Sequence, residues 1–220
     1  SESSSTAAAD IFFLCHADRA SASSGTYFID HSSYSCALYQ RGSGIIQSVA
    51  GLYFGTSGVL FTGSTASADA ARIAWTVPGV GLSSTSANTD QAPFMIDAFF
   101  NFSQFKGYEY LWEIANDAHN NYAQCQVIAA TASLGQNLRV SMFDNALGGY
   151  FNSEWNLNSI TTGTFHHIAV VRVDNTVGVA SFKIAAFQNG VILTIDTNVG
   201  GNPAGLNGNW RDCAFNLSVG

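Results

Sequence analysis

The chain has 220 residues and a mass of 23.3 kDa, enough for one large β domain or two small ones. Hydrophobic residues make up 47%, aromatics 13% and charged residues only 10%, against a usual charged share of about 25%. Disorder is excluded by the aromatic content. Nucleic-acid binding through a basic face is excluded by eight Lys and Arg against fifteen Asp and Glu, a net charge of −7 with no cationic cluster.

The polar surface must therefore come from Ser, Thr, Asn and Gly, a composition typical of extracellular or particle-borne β proteins. No stretch approaches the roughly 20 apolar residues that span a bilayer. The first ten residues, SESSSTAAAD, read as a flexible arm without the basic start and apolar run of a signal peptide. Cys15, Cys36, Cys125 and Cys213 are too sparse for a disulfide scaffold. Their apolar neighbours point to free, buried thiols, with a Cys15–Cys213 bridge as the alternative, and no spacing supports zinc.

Along the chain, short apolar runs are closed by Gly, Ser or Asp and predict strands. They are IFFLCH at 11–16, YFID at 27–30, CALYQ at 36–40, LYFG at 52–55, VLFTG at 59–63 and AARIAWTV at 70–77. A single helical turn is allowed between Ala66 and Ala71. The Ser-, Thr- and Gly-rich stretch 78–92 resembles a linker, yet the strands before it are too few to close a core, so one domain is expected over 11–220. FMIDAFFNF (94–102) follows. YEYLWEIAN (108–116) then alternates, with Tyr108, Tyr110, Trp112 and Ile114 expected on one face. CQVIAAT, NLRVSMFD, GYFNSEW, FHHIAVVRV and VASFKIAAFQ come next, punctuated by NN, LGQN, NALGG, TTG, DNTVG and NG. Asn189-Gly190 between two apolar runs predicts a two-residue type I′ hairpin. So many short strands with almost no helix predict an all-β, two-sheet sandwich or a barrel.

The order of these strands resembles laminin G-like, concanavalin A-like jelly-roll domains. The likeness rests on Leu14 to Asp18, Phe28-Ile29-Asp30-His31-Ser32, Phe54-Gly55, Phe61-Thr62-Gly63, Phe94 to Phe102, Trp112-Glu113-Ile114, Thr164 to Val171 and Gln188-Asn189-Gly190. It covers roughly 11 to 220. Ala17 and Phe165 stand where the family usually has Phe and Trp, and the chain stops at CAFNLSVG, one strand short of the family's closing strand. The resemblance implies an antiparallel two-sheet jelly-roll sandwich of the kind common in bacteriophage tail fibres and head appendages. It thus implies location on a virion, with secretion as the alternative.

Catalysis has a weak basis in the sequence. Glu109, Glu113 and Asp117 are spaced by four, which separates neighbouring carboxyls on a strand by about 13 Å, beyond the roughly 5–9.5 Å of glycosidases. His166 and His167 are adjacent on a strand and point to opposite faces, so they do not share one ion. One is expected in the core and the other exposed. His16 and His31 each lie near an aspartate, and an oxygen-rich calcium site with Asp18 and Asp30 as ligands is the metal reading; no cofactor is required. Tyr150, Asn152, Trp155 and Trp210, in or beside turn-rich segments, are the candidate ligand platform, because sugars stack on flat rings flanked by amides. The alternative is that Trp112 and Trp155 fill the core. The sequons at Asn101 and Asn216 fall within predicted strands and carry no weight.

The expectation is therefore a non-catalytic virion surface or appendage module that recognises a glycan or host-surface receptor, or decorates the particle. A structural cement subunit, pairing with other virion proteins or itself at an open sheet edge, is the alternative, and a secreted glycan-cleaving enzyme the third reading. Neither a nucleic-acid partner nor a membrane span is expected.

Overall fold

The computed structural model describes residues 15–16, 29–30, 38–41, 45–48, 58–61, 72–76, 94–115, 121–144, 149–174, 183–196 and 216–219. The chain divides into two compact units, Ser1–Val80 with Leu217–Gly220, and Gly81–Asn216. The division falls inside the polar stretch 78–92. All regular structure among the described residues is β, and none of them forms a helix long and apolar enough to cross a membrane. The arm at 1–10, the turn at 66–71, Asp18, His31, Cys36, Asp117, Trp210 and Cys213 lie outside the described residues.

In the first unit, β1 (Cys15–His16) pairs with β2 (Ile29–Asp30). The next strand, β3 (Leu38–Arg41), lies within two residues of the run read from the sequence. An unforeseen strand, β4 (Ile45–Ser48), pairs with β5 (Gly58–Phe61) from Ile45 opposite Phe61 to Ser48 opposite Gly58. Two isoleucines between glycines and serines were too short a run to stand out. Strand β6 (Arg72–Thr76) pairs with β3, Leu38 opposite Trp75.

The second unit holds long strands: β7 (Phe94–Asn101), β8 (Tyr108–Ala115), β9 (Asn121–Thr131), β10 (Leu134–Asp144), β11 (Gly149–Thr161), β12 (Phe165–Asp174) and β13 (Lys183–Gln188), then the short β14 (Val191–Ile192) and β15 (Thr194–Ile195). They make two antiparallel groups, one ordered β15-β11-β10-β9-β8 and the other β14-β13-β12-β7. A last strand, β16 (Asn216–Val219), is next to β6 in sheet order.

Alternation along β9 to β11 gives the first sheet an apolar face and a polar face. Ala123, Cys125, Val127, Leu138, Val140 and Trp155 are on the apolar side and all are buried. In the second sheet, His166, Ile168 and Val170 of β12 are buried with Ala186 and Gln188 of β13. The sheets are stitched together where β11 bulges. Three β11 residues, 157–159, stand against Gln136 alone on β10, and Ser159 takes a left-handed φ of 52°. That bulge releases the Asn158 backbone from the ladder. The buried Gln188 amide replaces the lost strand: Asn158 N donates to Gln188 Oε1 at 2.7 Å, and Gln188 Nε2 donates to Asn158 O at 2.7 Å.

The Asn189-Gly190 turn forms as expected, with φ values of 51° and 79° and Gln188 opposite Val191, the positive pair a type I′ turn requires. After it the chain changes sheets within one residue. Val191 and Ile192 pair with β13, while Thr194 and Ile195 pair with β11. Leu193 between them is buried, its N–H donating to Ala186 O at 2.8 Å.

Two sequence expectations are corrected. Tyr108, Tyr110 and Trp112 do not share a face, because the register of β8 against β9 shifts between Tyr110 and Trp112. Leu111 is the extra residue, and it is buried next to the buried Trp112 while Tyr108 and Tyr110 are 55% and 50% exposed. Two large apolar residues in succession cannot both face inward on a regular strand, and the bulge resolves the conflict. Likewise LGQN is not a turn. The turn lies at Ala132–Ser133, and Leu134 to Asn137 open β10. Gly135 is there for close packing: a Cβ would sit 2.8 Å from Val127 Cγ1.

Candidate functional site

The polar face of the first sheet carries the richest chemistry in the second unit. Cross-strand register sets Tyr110, Gln126, Arg139 and Glu154 in one row over β8, β9, β10 and β11, a span of about 14 Å at the usual strand spacing. The row beside it holds Tyr108, Ile128, Asn137 and Asn156. On the other side lie Glu113, Gln124, Ser141 and Asn152.

At the β11 end of these rows the sheet-switching strand brings in Asp196, whose N–H donates to Glu154 O at 2.9 Å. Asn137 Nδ2 then donates to Glu154 Oε2 at 3.1 Å and to Asp196 Oδ2 at 3.0 Å, so one amide nitrogen ties two carboxylates together. Arg139 donates to the other oxygen of Glu154. Glu154, at 2% exposure, is thus a buried charge with a cation and an amide as partners, the arrangement a buried carboxylate requires. The Arg139 guanidinium also lies 5.7 Å from the centre of the Tyr108 ring, within cation–π range.

Two acceptors on this face have no donor, Asn137 Oδ1 and Gln126 Oε1, both buried. Buried acceptors of this kind are uncommon in folded chains and call for a partner. Beside them, Tyr108 and Tyr110 stand at alternate positions of one strand, so their rings emerge from the same face about 7 Å apart. The two exposed aromatic rings and the part-exposed Arg139 guanidinium thus stand over a buried layer of amides and carboxylates, Gln126, Asn137, Glu154 and Asp196.

Of the residues read from the sequence, Asn152 joins this face opposite Ser141. Tyr150 occupies a β11 position two residues earlier, opposite Phe143. Trp155 is on the other face and 2% exposed, among the core side chains, as is Trp112. Asp30 ends β2; its presumed partner Asp18 and the platform residue Trp210 lie outside the described residues. No group of three or more His, Cys, Asp or Glu able to hold a metal occurs among the described residues.

Sequence reasoning missed Tyr108, Tyr110, Gln126, Asn137, Arg139, Glu154 and Asp196. The Leu111-Trp112 pair was the available signal for the tyrosines, since it breaks the alternation. No local signal marks Asp196, which reaches Glu154 only through the sheet change. The bulge also puts Glu109 and Glu113 on opposite faces, opposite Val127 and Gln124 respectively. Glu109 instead accepts a hydrogen bond from Lys106 N at 2.5 Å.

A second polar group lies on the open face of the other sheet. His167 Nε2 is 2.9 Å from Asp97 Oδ2, and the imidazole stacks on Phe99 with ring centres 4.6 Å apart. His166, one residue earlier, is buried with Nε2 3.3 Å from Thr161 O, so the two histidines face opposite ways as expected. Cys125 is a free, buried thiol, and burial pushes its pKa up.

No protein-family model matches this chain, and neither does any curated protein. The two sheets of the second unit do not by themselves establish a laminin G-like or concanavalin A-like fold.

Proposed function

We propose that the protein is a non-catalytic recognition module on the surface of a virus particle, of the phage appendage kind, and that it binds a glycan or a host-surface receptor. The observation that carries this reading is the polar face of the first sheet. It sets exposed Tyr108 and Tyr110 beside Arg139, Asn137, Gln126 and Glu154. Sugars bind by stacking on aromatic rings beside charged and polar groups, and Tyr108, Tyr110 and Arg139 are the accessible groups of that kind on this face. A sandwich of the jelly-roll type, with the order of motifs that resembles laminin G-like domains, is the architecture we assign to it. The low charge and Ser-, Thr- and Asn-rich composition agree with an extracellular particle. A non-catalytic role fits the engagement of Glu154 and Asp196 with Asn137, and of Glu154 with Arg139, which holds these carboxylates in a structural network instead of leaving them to transfer protons.

A glycan array probed with the purified chain tests the reading. Binding to a defined sugar family, abolished in Tyr108→Ala and Tyr110→Ala with an unchanged far-UV spectrum, is the expected result. Tyr150→Ala and Trp210→Ala on the same array measure how far the sequence-derived platform contributes. The structural-subunit reading is favoured by one observation, the exposed apolar side chains Met95, Phe99 and Ile192 on the second sheet. A symmetric oligomer in light scattering, together with an empty array, would establish that reading instead.

A further inference from the structure

We infer that a second copy of the chain pairs with β7, antiparallel and around a two-fold axis at Ala98, so that the second sheet runs on from one copy into the other. Such pairing goes beyond the recognition reading and does not depend on it, because the polar face belongs to the other sheet. Among the described residues β7 ends the second sheet, with β12 on one side. Its backbone directions follow from the bonds of β12 to the β13 hairpin. Asn189 N donates to His167 O at 2.9 Å, and His167 N donates to Asn189 Oδ1 at 2.9 Å. His167 thus bonds away from β7, and its neighbours His166 and Ile168 bond toward it. Opposite His166, Ile168 and Val170 stand Phe100, Ala98 and Ile96. The alternate β7 residues therefore aim their N–H and C=O groups at the outer edge, Met95, Asp97 and Asn101 among them, and these three are exposed.

Native edges are blunted by bulges, proline or lysine. Strand β7 has none of these, and it pairs with β12 without a register shift. Its single charge, Asp97, is matched by His167. The core side of the edge is also incomplete. Ile96, Ala98 and Phe100 are half-buried, whereas His166, Ile168 and Val170 opposite them are buried. Self-pairing then selects a register. Axes at Asp97 and at Ala98 engage the strand almost end to end, and the first sets two carboxylates directly opposite, which is destabilising. With the axis at Ala98, Asp97 meets Phe99 of the second copy, Met95 meets Asn101, and Ile96 meets Phe100, which carries the apolar stripe across the axis. Ala98 meets itself in a pair without hydrogen bonds, where Cα atoms approach to about 4.5 Å and a methyl group fits.

The test is light scattering of the full chain over a rising concentration series, in which twice the single-chain mass of 23.3 kDa is expected. Asp97→Pro removes an outward N–H and leaves the bonds to β12 in place, the setting in which a strand accepts proline. It is expected to keep the far-UV spectrum and to weaken the dimer on the order of tenfold or more. Mild oxidation of Ala98→Cys is expected to give a covalent dimer, since the Cα separation falls in the disulfide range. Ile96→Cys and the wild-type chain should give none. A wild-type chain that stays monomeric throughout overturns the inference. So does a dimer that a folded Asp97→Pro chain retains at full strength, or one that Ile96→Cys cross-links and Ala98→Cys does not. Should Asp97→Pro fail to fold, the cysteine pair of variants decides the question by itself.

Discussion

The two sheets of the second unit differ in what lies on the side away from their apolar core. On the first, the side away from Leu138, Val140 and Trp155 carries Gln, Asn, Arg, Glu and two tyrosines. On the second, the side away from Ile168 and Val170 carries Met95 and Ile192, 60% and 62% exposed, with Phe99 and a single His167–Asp97 pair among them. Both sheets alternate, but only the first alternates apolar with polar. The second puts apolar residues at both parities, which makes its inner face no better and leaves its open face sticky. Polar side chains on the first sheet gather into a network because neighbouring strands align them in rows. Of the apolar side chains on the second, Phe99 stacks on the His167 ring, while Met95 and Ile192 are largely exposed. Open apolar surface of this kind marks a place where proteins associate, whereas the polar rows are largely buried and satisfied by one another.

The largest effect should come from the residue that joins the two sheets. Gln188→Leu keeps the volume but strips the partners from both Asn158 backbone groups. A cost of about 2 kcal/mol is expected, since each of the two part-buried hydrogen bonds contributes roughly 0.5–1.5 kcal/mol. Urea unfolding should show a lower midpoint at an unchanged slope. Gly135→Ala comes next. The new methyl would stand 2.8 Å from Val127 Cγ1 and 3.4 Å from Ile160 Cβ, in a core that has no slack at Val127. Roughly 1–3 kcal/mol of overpacking strain is expected, and a variant as stable as the parent would show that the bulge end of the first sheet is loosely packed.

Cys125 sharpens the contrast between core and face through pH. Its thiol pKa is raised in the folded chain by burial, so the folded state keeps the proton where the unfolded chain, with an ordinary thiol pKa of about 8.5, releases it. Stability from this group is fully retained below that value and declines as pH rises above it. The decline should vanish in Cys125→Ala, whose pH profile is the control. In the native protein the thiol should also resist alkylation at pH 8 and react only after unfolding. The smallest effect belongs to the open apolar face. Met95→Thr should change stability by less than about 0.5 kcal/mol, because the side chain is already in solvent. A loss larger than that in thermal unfolding would mean that something covers this face in solution.

Much of this was legible in residues taken one segment at a time. Asn189-Gly190 specifies its turn because few residue pairs accept two positive φ angles in a row. His166 and His167 part to opposite faces because adjacent strand residues always do. The all-β class follows from runs of four to ten apolar residues cut by Gly, Asn and Ser. The candidate site was far less legible. Tyr150 and Asn152, read as lying in or beside a turn-rich segment, belong to β11, whose run GYFNSEW was legible as a strand. Tyr108 and Tyr110 were placed on one face with Trp112, since alternation was extended through Leu111, where the register shifts.

The sequence by itself determined the strand class, the hairpin turn, the burial of Trp112 as one alternative among two, and the absence of a basic surface. Each depends only on chemistry within a few neighbouring residues. The tertiary structure alone decided which tyrosines face outward, that Asp196 would join Glu154 at Asn137, and that a glutamine side chain would replace a missing strand at Asn158. Each of these depends on register. A shift of one residue reverses every side chain beyond it, and that shift is set by a partner strand far away in the chain.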